Sequence, residues 1–193
     1  MSRSAFAIEI DELEVARARR GDLAAMERLF RTFQTPVFNL ARRLCGSHPD
    51  AEDVLQETFL EIFRSVHAFR GEGSFAGWVR RVATSKAFMR LRKRRPLELE
   101  DPLEGDFPAN DGRPGDAATA RVDLEVALAR LPEATRAVIW LHEVEGYSHE
   151  EIGELLGKTA SFSKSQLARG VVRLRDCLDV EMEGTCTRPS TSC

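Results

Sequence analysis

Apolar residues recur every three or four positions along most of the chain, the spacing of one buried helical face. In residues 9–20, Ile10, Leu13, Ala16 and Ala18 fall towards one side. Gly21-Asp22 interrupts the pattern, and Asp22 is a suitable N-cap for a helix over 23–33 carrying Leu23, Met26, Leu29, Phe30 and Phe33. Pro36 predicts the first turn of a separate helix, with Val37, Leu40, Ala41 and Leu44 leading to Cys45-Gly46. The clearest stripe lies in 50–66: Val54, Leu55, Thr58, Phe59, Ile62, Phe63 and Val66. Asp50, Glu52 and Asp53 crowd its first turn, where the helix dipole favours acids. Its other face shows Asp53, Gln56, Glu57, Leu60 and Glu61, which reads as a solvated face or as a docking surface for a basic or mixed partner.

Gly71 and Gly73 make a turn before a helix over 74–94, whose buried stripe is Phe75, Trp78, Val82, Phe88 and Leu91 and which Pro96 ends. Residues 96–120 lack any period; they hold four of the eight prolines and a net charge of −6, the composition of an extended, flexible linker. A helix is predicted over 121–131, and Pro132 starts another in which Ala134, Val138, Ile139 and Leu141 face inwards until Gly146. Ser148 and Glu151 have capping-box spacing ahead of Ile152, Leu155 and Leu156, and Gly157 is a C-terminal stop. After Lys158-Thr159-Ala160, a last helix buries Leu167, Val171, Leu174 and Leu178. Helix, short turn, helix is the outline of a helix-turn-helix. The pattern predicts an all-α protein: two small helical domains, 1–95 and 121–180, joined by the acidic linker 96–120 and followed by a disordered tail, 181–193.

Charge sharpens this picture. The 193 residues carry 28 Lys and Arg against 31 Asp and Glu, a net −3, yet 69–95 alone hold nine basic residues and one acid. Phe69, Phe75, Trp78 and Phe88 are mixed with those cations. Cations hold phosphates, and flat rings stack on unpaired bases; a solvated basic helix with a ring-filled core is the plainer alternative. Residues 158–175 hold five bases and no acid. Ser161, Phe162, Lys164, Ser165 and Gln166 occupy the positions that meet base edges in a helix-turn-helix, with Arg169 and Arg173 placed for phosphate. No apolar run approaches the roughly 20 residues of a spanning helix, and the first residues lack the form of a secretory signal, so the expected location is the cytoplasm. Cys45, Cys177, Cys186 and Cys193 have no metal-site spacing, Cys45 reading as core. His142 and His149 read as surface or cap residues. No phosphate-binding glycine loop or nucleophilic triad is present, so no enzyme activity, metal or cofactor is expected.

The two halves together resemble the bacterial sigma-70 class of RNA polymerase sigma factors, in the small extracytoplasmic-function (ECF) group. The words that carry the resemblance are DAEDVLQETFLEIFRSV and FAGWVRRVATSKAFMRLRKRR in the first half, and LPEATRAVIWLHEVEGYSHEEIGELLG and KSQLARGVVRLR in the second. The resemblance implies sigma region 2 in the first domain and sigma region 4 in the second. It implies that Asp53, Gln56, Glu57 and Leu60 bind core RNA polymerase. It implies that Arg70, Phe75, Trp78, Arg80, Arg81, Lys86, Arg90 and Arg92 melt and hold the −10 promoter element. The −35 element would be read by Ser161, Phe162, Lys164, Ser165, Gln166, Arg169 and Arg173. Promoter DNA, core polymerase and an anti-sigma factor are the implied partners. Ser85 stands where the family usually has Asn, and Met89 where it often has Asp, two departures at positions that bear on −10 base preference; Phe162-Ser163 replaces a frequent Thr-Val. The rival reading is a stand-alone helix-turn-helix regulator of transcription, which leaves 69–95 without a role.

Overall fold

The computed structural model describes residues 4–94, 127, 128 and 130–184, without the side chains of Arg94 and of 176–184. The predicted linker 96–120 and most of the predicted helix over 121–131 lie outside these residues. Seven α-helices are described: α1 (Glu12–Arg19), α2 (Leu23–Cys45), α3 (His48–Ser65), α4 (Phe75–Arg94), α5 (Glu133–Ile139), α6 (His149–Leu156) and α7 (Ala160–Gly184). A 3-10 turn (Val66–Ala68) extends α3, and a π turn (Trp140–Val144) extends α5. No strand occurs among the described residues.

Short polar side chains fix where the helices begin. Asp11 accepts from the Leu13 amide, Asp22 from Ala24 and Ala25, and Ser47 from Asp50. Each such cap is worth ~1 kcal/mol because it satisfies an amide that has no partner inside the helix. Ser148 and Glu151 form the predicted reciprocal box, with bonds of 3.2 and 2.9 Å, and Gly157 ends α6 at φ 66°.

The expected break at Pro36 does not occur: α2 runs through it from Leu23 to Cys45. Ala25, Leu29, Phe33, Val37, Leu40, Ala41 and Leu44 form one buried stripe across the proline, while Pro36 itself lies off that stripe. Burial of this continuous face outweighs one missing amide bond. In α4 the buried stripe also differs from expectation. Trp78 and Val82 are only half-buried, and Ala76, Val79, Ala83, Thr84 and Ala87 join Phe75, Phe88 and Leu91 in the core. Small side chains let α4 approach α2 closely; the buried Cys45 Sγ lies 4.0 Å from the Ala87 carbonyl.

α2, α3 and α4 form a three-helix bundle, with α1 laid against α2. α5, α6 and α7 form a second, smaller group. The two groups pack against each other: Ala137, Val138, Leu141, Tyr147, Ile152 and Leu156 belong to the same apolar cluster as Phe33, Leu44 and Phe88. In α7 the buried contacts are Ser163 and Gly170, whereas the expected core residue Val171 is 43% exposed. A Cβ on Gly170 would stand 2.4 Å from Ile139 Cδ1, so the glycine is what allows α7 to cross α5 this closely.

Candidate nucleic-acid interface

The basic helix α4 begins at a glycine loop. Gly71 and Gly73 have φ of 78° and 85°, a region that glycine enters without strain. Ser74 Oγ then accepts from the Gly77 amide at 3.0 Å, starting the helix. Phe69, Phe75 and Trp78 form a three-ring floor under the loop, with centroids 5.3 to 5.5 Å apart. Phe75 is buried and also meets Phe33 at 5.9 Å, so it shapes the loop from below; Phe69 and Trp78 are half-buried. Between this loop and α1 lies a cavity of about 650 Å³, lined by Ile8, Ile10, Val15, Arg19, Phe69 and Phe75. Its size is in the range of small-ligand pockets, roughly 300–1,000 Å³.

The cations of α4 are not equivalent. Arg70, Arg81 and Arg92 are exposed. Arg81 stands 3.5 Å from Glu151 of α6. Lys86 bonds Glu61 of α3 at 3.0 Å, and this bond holds the Glu61 carboxyl below its ordinary range. Arg90 Nε donates to Asp50 at 2.9 Å and Arg90 Nη2 meets Asp53 at 2.5 Å. The Asp50 bond raises the Arg90 pKa further. Arg80 reaches Glu145, between the two helical groups. A groove of about 310 Å³ runs between α4 and α6, lined by Arg81, Ser85, Arg92, Tyr147, Glu151 and Glu154.

On α3, Gln56, Glu57 and Leu60 are exposed, Leu60 at 55%, and Asp53 is half-buried beside Arg90. They form a mixed surface that backs directly onto α4.

In the helix-turn-helix, Gly153 lies against the turn: a Cβ there would be 2.9 Å from the Lys158 carbonyl oxygen. Thr159 Oγ1 accepts from the Phe162 amide at 3.2 Å and so caps α7. Ser161, Lys164, Ser165 and Arg169 are exposed, whereas Phe162 and Arg173 are half-buried. Gln166 is also half-buried, and its Oε1 accepts from Thr135 Oγ1 at 2.6 Å. That bond ties the side chain to α5. His142 and His149 stack with centroids 4.2 Å apart, and His149 Nδ1 lies 3.0 Å from the buried Ser163 hydroxyl. His149 thus joins the two helices of the motif, and His142 packs on it from the π turn. Burial, and then the neighbouring His142 and Lys164, lower the His149 pKa.

Sequence reasoning missed Glu145, Tyr147, Arg43 and Arg136. Arg43 lies over the Trp140 ring at 4.4 Å, and Arg136 Nη2 reaches the Leu44 carbonyl at 3.5 Å. Burial lowers the Arg136 pKa. These interactions link the two halves, and no local pattern marks such a partner. Among the described residues no cluster could hold a metal ion, and no helix is long and apolar enough to cross a membrane.

Residues 29–96 match the family Sigma-70 region 2, and residues 121–174 match Sigma-70, region 4. A basic, ring-floored helix and a basic helix-turn-helix on one chain thus coincide with the two modules of the sigma-70 family, a class of promoter-specific initiation factors for RNA polymerase. The chain belongs to that family, and within it to the extracytoplasmic-function group. It is 39% identical over 167 residues to the ECF RNA polymerase sigma factor SigE of Mycolicibacterium smegmatis, covering 82% of this chain and 64% of that protein. It is 30% identical to the RNA polymerase sigma-H factor of Pseudomonas aeruginosa, covering 91% of this chain and 95% of that one. The fold is similar to CnrH in its complex with the cytosolic domain of CnrY, at TM-score 0.55 and 25% identity over 88% of this chain and 97% of that one. It is also similar to the sigma factor RpoE in complex with the anti-sigma factor NepR from Bartonella quintana, at TM-score 0.56 and 22% identity over 80% of this chain and 96% of that one.

Proposed function

We propose that this chain gives core RNA polymerase its promoter choice through a division of labour between its halves. Residues 1–95 dock on the polymerase and hold the melted −10 strand; 121–180 read the −35 duplex; the acidic segment 96–120 joins them. The last helix, α7, runs on to Gly184, past the boundary expected at 180. The carrying observation is the glycine loop over Phe69, Phe75 and Trp78, beside a cavity of about 650 Å³, which has room for an unstacked base, at the head of a cationic helix. Unstacking a base costs a few kcal/mol. Stacking on rings returns ~1–3 kcal/mol per base, and phosphate contacts add a salt-sensitive share. A chain that couples no chemical reaction to melting can stabilise separated strands only by such preferential binding.

Within that reading, Gln56, Glu57 and Leu60, with Asp53 beside them, meet the polymerase. Arg70, Arg81 and Arg92 meet the strand, and Arg80 and Lys86 join them once released from their acids. Phe75 and Trp78 support the flipped base, and Arg90 sets the angle of α4 on α3. Lys164, Ser165, Ser161 and Arg169 face the −35 duplex, and Phe162, Gln166 and Arg173 brace them. The chain acts in the cytoplasm without catalysing a reaction itself. The solved complexes of CnrH with CnrY and of RpoE with NepR support an anti-sigma factor as its regulator. Transcription in vitro with purified core polymerase, with and without the chain, tests the proposal: promoter-specific transcript is expected only with it. Tight duplex binding without polymerase, and no transcript, would favour a stand-alone regulator.

A further inference from the structure

The two halves meet at one carboxylate. Glu145, just beyond the π turn, is only 4% exposed. Groups from three parts of the chain converge on it. Ser4 Oγ donates to its Oε2 at 2.6 Å, and Trp140 Nε1 donates to its Oε1 at 3.3 Å. Arg80 of α4 donates to its backbone carbonyl and places Nη1 3.9 Å from its Oε2. The Arg80 guanidinium also lies over the Tyr147 ring at 4.7 Å, and the Tyr147 hydroxyl is 3.3 Å from Thr84 Oγ1. One residue further along α4, Arg81 faces Glu151 at 3.5 Å. A buried carboxylate persists only where its charge is matched and its lone pairs are taken. Here both conditions are met across the junction, by residues 65 and 141 positions away.

The two α4 cations so engaged, Arg80 and Arg81, are among those assigned above to the −10 strand. We infer that Glu145 is an internal latch: it holds the second half over α4, stands where a strand phosphate would sit, and keeps the free chain self-masked. The masking, though not the latch, rests on the proposed binding of DNA by α4. Glu151 and Glu154, lining the groove beside Arg81 and Arg92, extend the same mimicry of phosphate. The latch also leaves one donor unmatched: Arg80 Nε is buried without a hydrogen-bond partner. A phosphate that engages the guanidinium through two parallel bonds would satisfy that donor, which favours displacement of Glu145 by DNA.

A charge swap in the full chain tests this. Glu145→Lys sets a cation against Arg80, and Arg80→Glu sets an acid against Glu145; each should part the halves and raise the radius of gyration in small-angle scattering, with helical content unchanged by circular dichroism. The double variant E145K/R80E restores opposite charges and should return to the wild-type radius, as coupled partners do in a cycle. Glu145→Lys should also bind a labelled mixed-sequence single-stranded oligonucleotide more tightly, on the order of tenfold, because apparent affinity scales with the fraction of competent molecules. The comparison is Glu143→Lys, the same charge change at an exposed position two residues away. If E145K and R80E both keep the wild-type radius, the latch is overturned. If E145K loses helical content, R80E, altered on the other half, decides the same point. Expansion of E145K with no gain over E143K supports the latch and overturns the −10 assignment of α4 instead.

Discussion

Arg90 of α4 holds Asp53 of α3 at 2.5 Å while its Nε holds the buried Asp50 at 2.9 Å. One guanidinium therefore couples the helix proposed to meet polymerase to the helix proposed to hold DNA. The two carboxylates differ in burial, so they should differ in what their loss does. Asp50 is 5% exposed and also accepts from Ser47, whereas Asp53 is half-buried. Arg90→Ala should lower stability by about 1–3 kcal/mol, the cost of a charged group left without its partner. Asp53→Asn should change stability by less than about 1 kcal/mol, as exposed pairs do, yet weaken binding to core polymerase. Urea unfolding and polymerase pull-down separate the two effects; a stable R90A would remove the coupling role.

The cations along α4 should act on opened DNA and not on the −35 duplex. Replacing Arg81 and Arg92 with Ala in the holoenzyme should slow open-complex formation. It should also reduce the salt slope of single-strand binding by about 0.7 for each phosphate no longer neutralised. Binding to a −35 duplex should stay within about twofold. Equal impairment in both assays would contradict the division between halves.

Gln166 and Lys164 sit two positions apart on α7 with different expected phenotypes. Gln166 accepts from Thr135, so Gln166→Ala should cost about 1 kcal/mol of stability and leave the −35 sequence profile unchanged. Lys164 is exposed, and Lys164→Ala should weaken −35 binding with stability preserved. A profile altered by Q166A alone would return Gln166 to the base-reading set.

Gly170→Ala is a packing test. Its new Cβ would meet Ile139 Cδ1 at 2.4 Å and Thr135 Cγ2 at 2.7 Å. Overpacking of this kind costs roughly 1–3 kcal/mol, and the shift of α7 should reduce −35 binding. Full stability in G170A would show that α5 and α7 have slack at this crossing.

His149 makes stability depend on pH. Its folded-state pKa is lowered from 6.5, chiefly by burial, so the unfolded chain takes up a proton first as pH falls. This contribution is therefore intact above about 6.5 and is lost as pH falls through the unfolded value towards the folded one. His149→Gln should flatten the melting-temperature profile between about pH 7 and 5. An unchanged slope would assign the effect to other groups.

Local chemistry made much of this fold legible. Asp22, Ser148, Glu151 and Gly157 act at the ends of helices where their types predict. The α3 stripe of Val54, Thr58, Phe59 and Ile62 is buried as its spacing predicts. Pro36 misled because a proline's local cost is visible in a sequence and the burial that overrides it is not. Ala76, Ala83 and Ala87 were missed as core because alanine is too weakly apolar to mark a stripe. Among the candidate site residues, position was legible and partnership was not. Nothing local says that Lys86 faces Glu61, Arg90 faces Asp50, or Gln166 faces Thr135. Those pairs lie 25, 40 and 31 residues apart and exist only once the helices are docked.

The apolar cluster that runs unbroken from Phe33 and Leu44 to Val138 and Leu141 has a consequence for solubility. Prising its two banks apart would wet greasy surface that is dry in the resting molecule. A spread-out copy would then stick to its neighbours unless some larger host clasped it. The factor should accordingly be safest in solution while folded on itself, and stretched only in company.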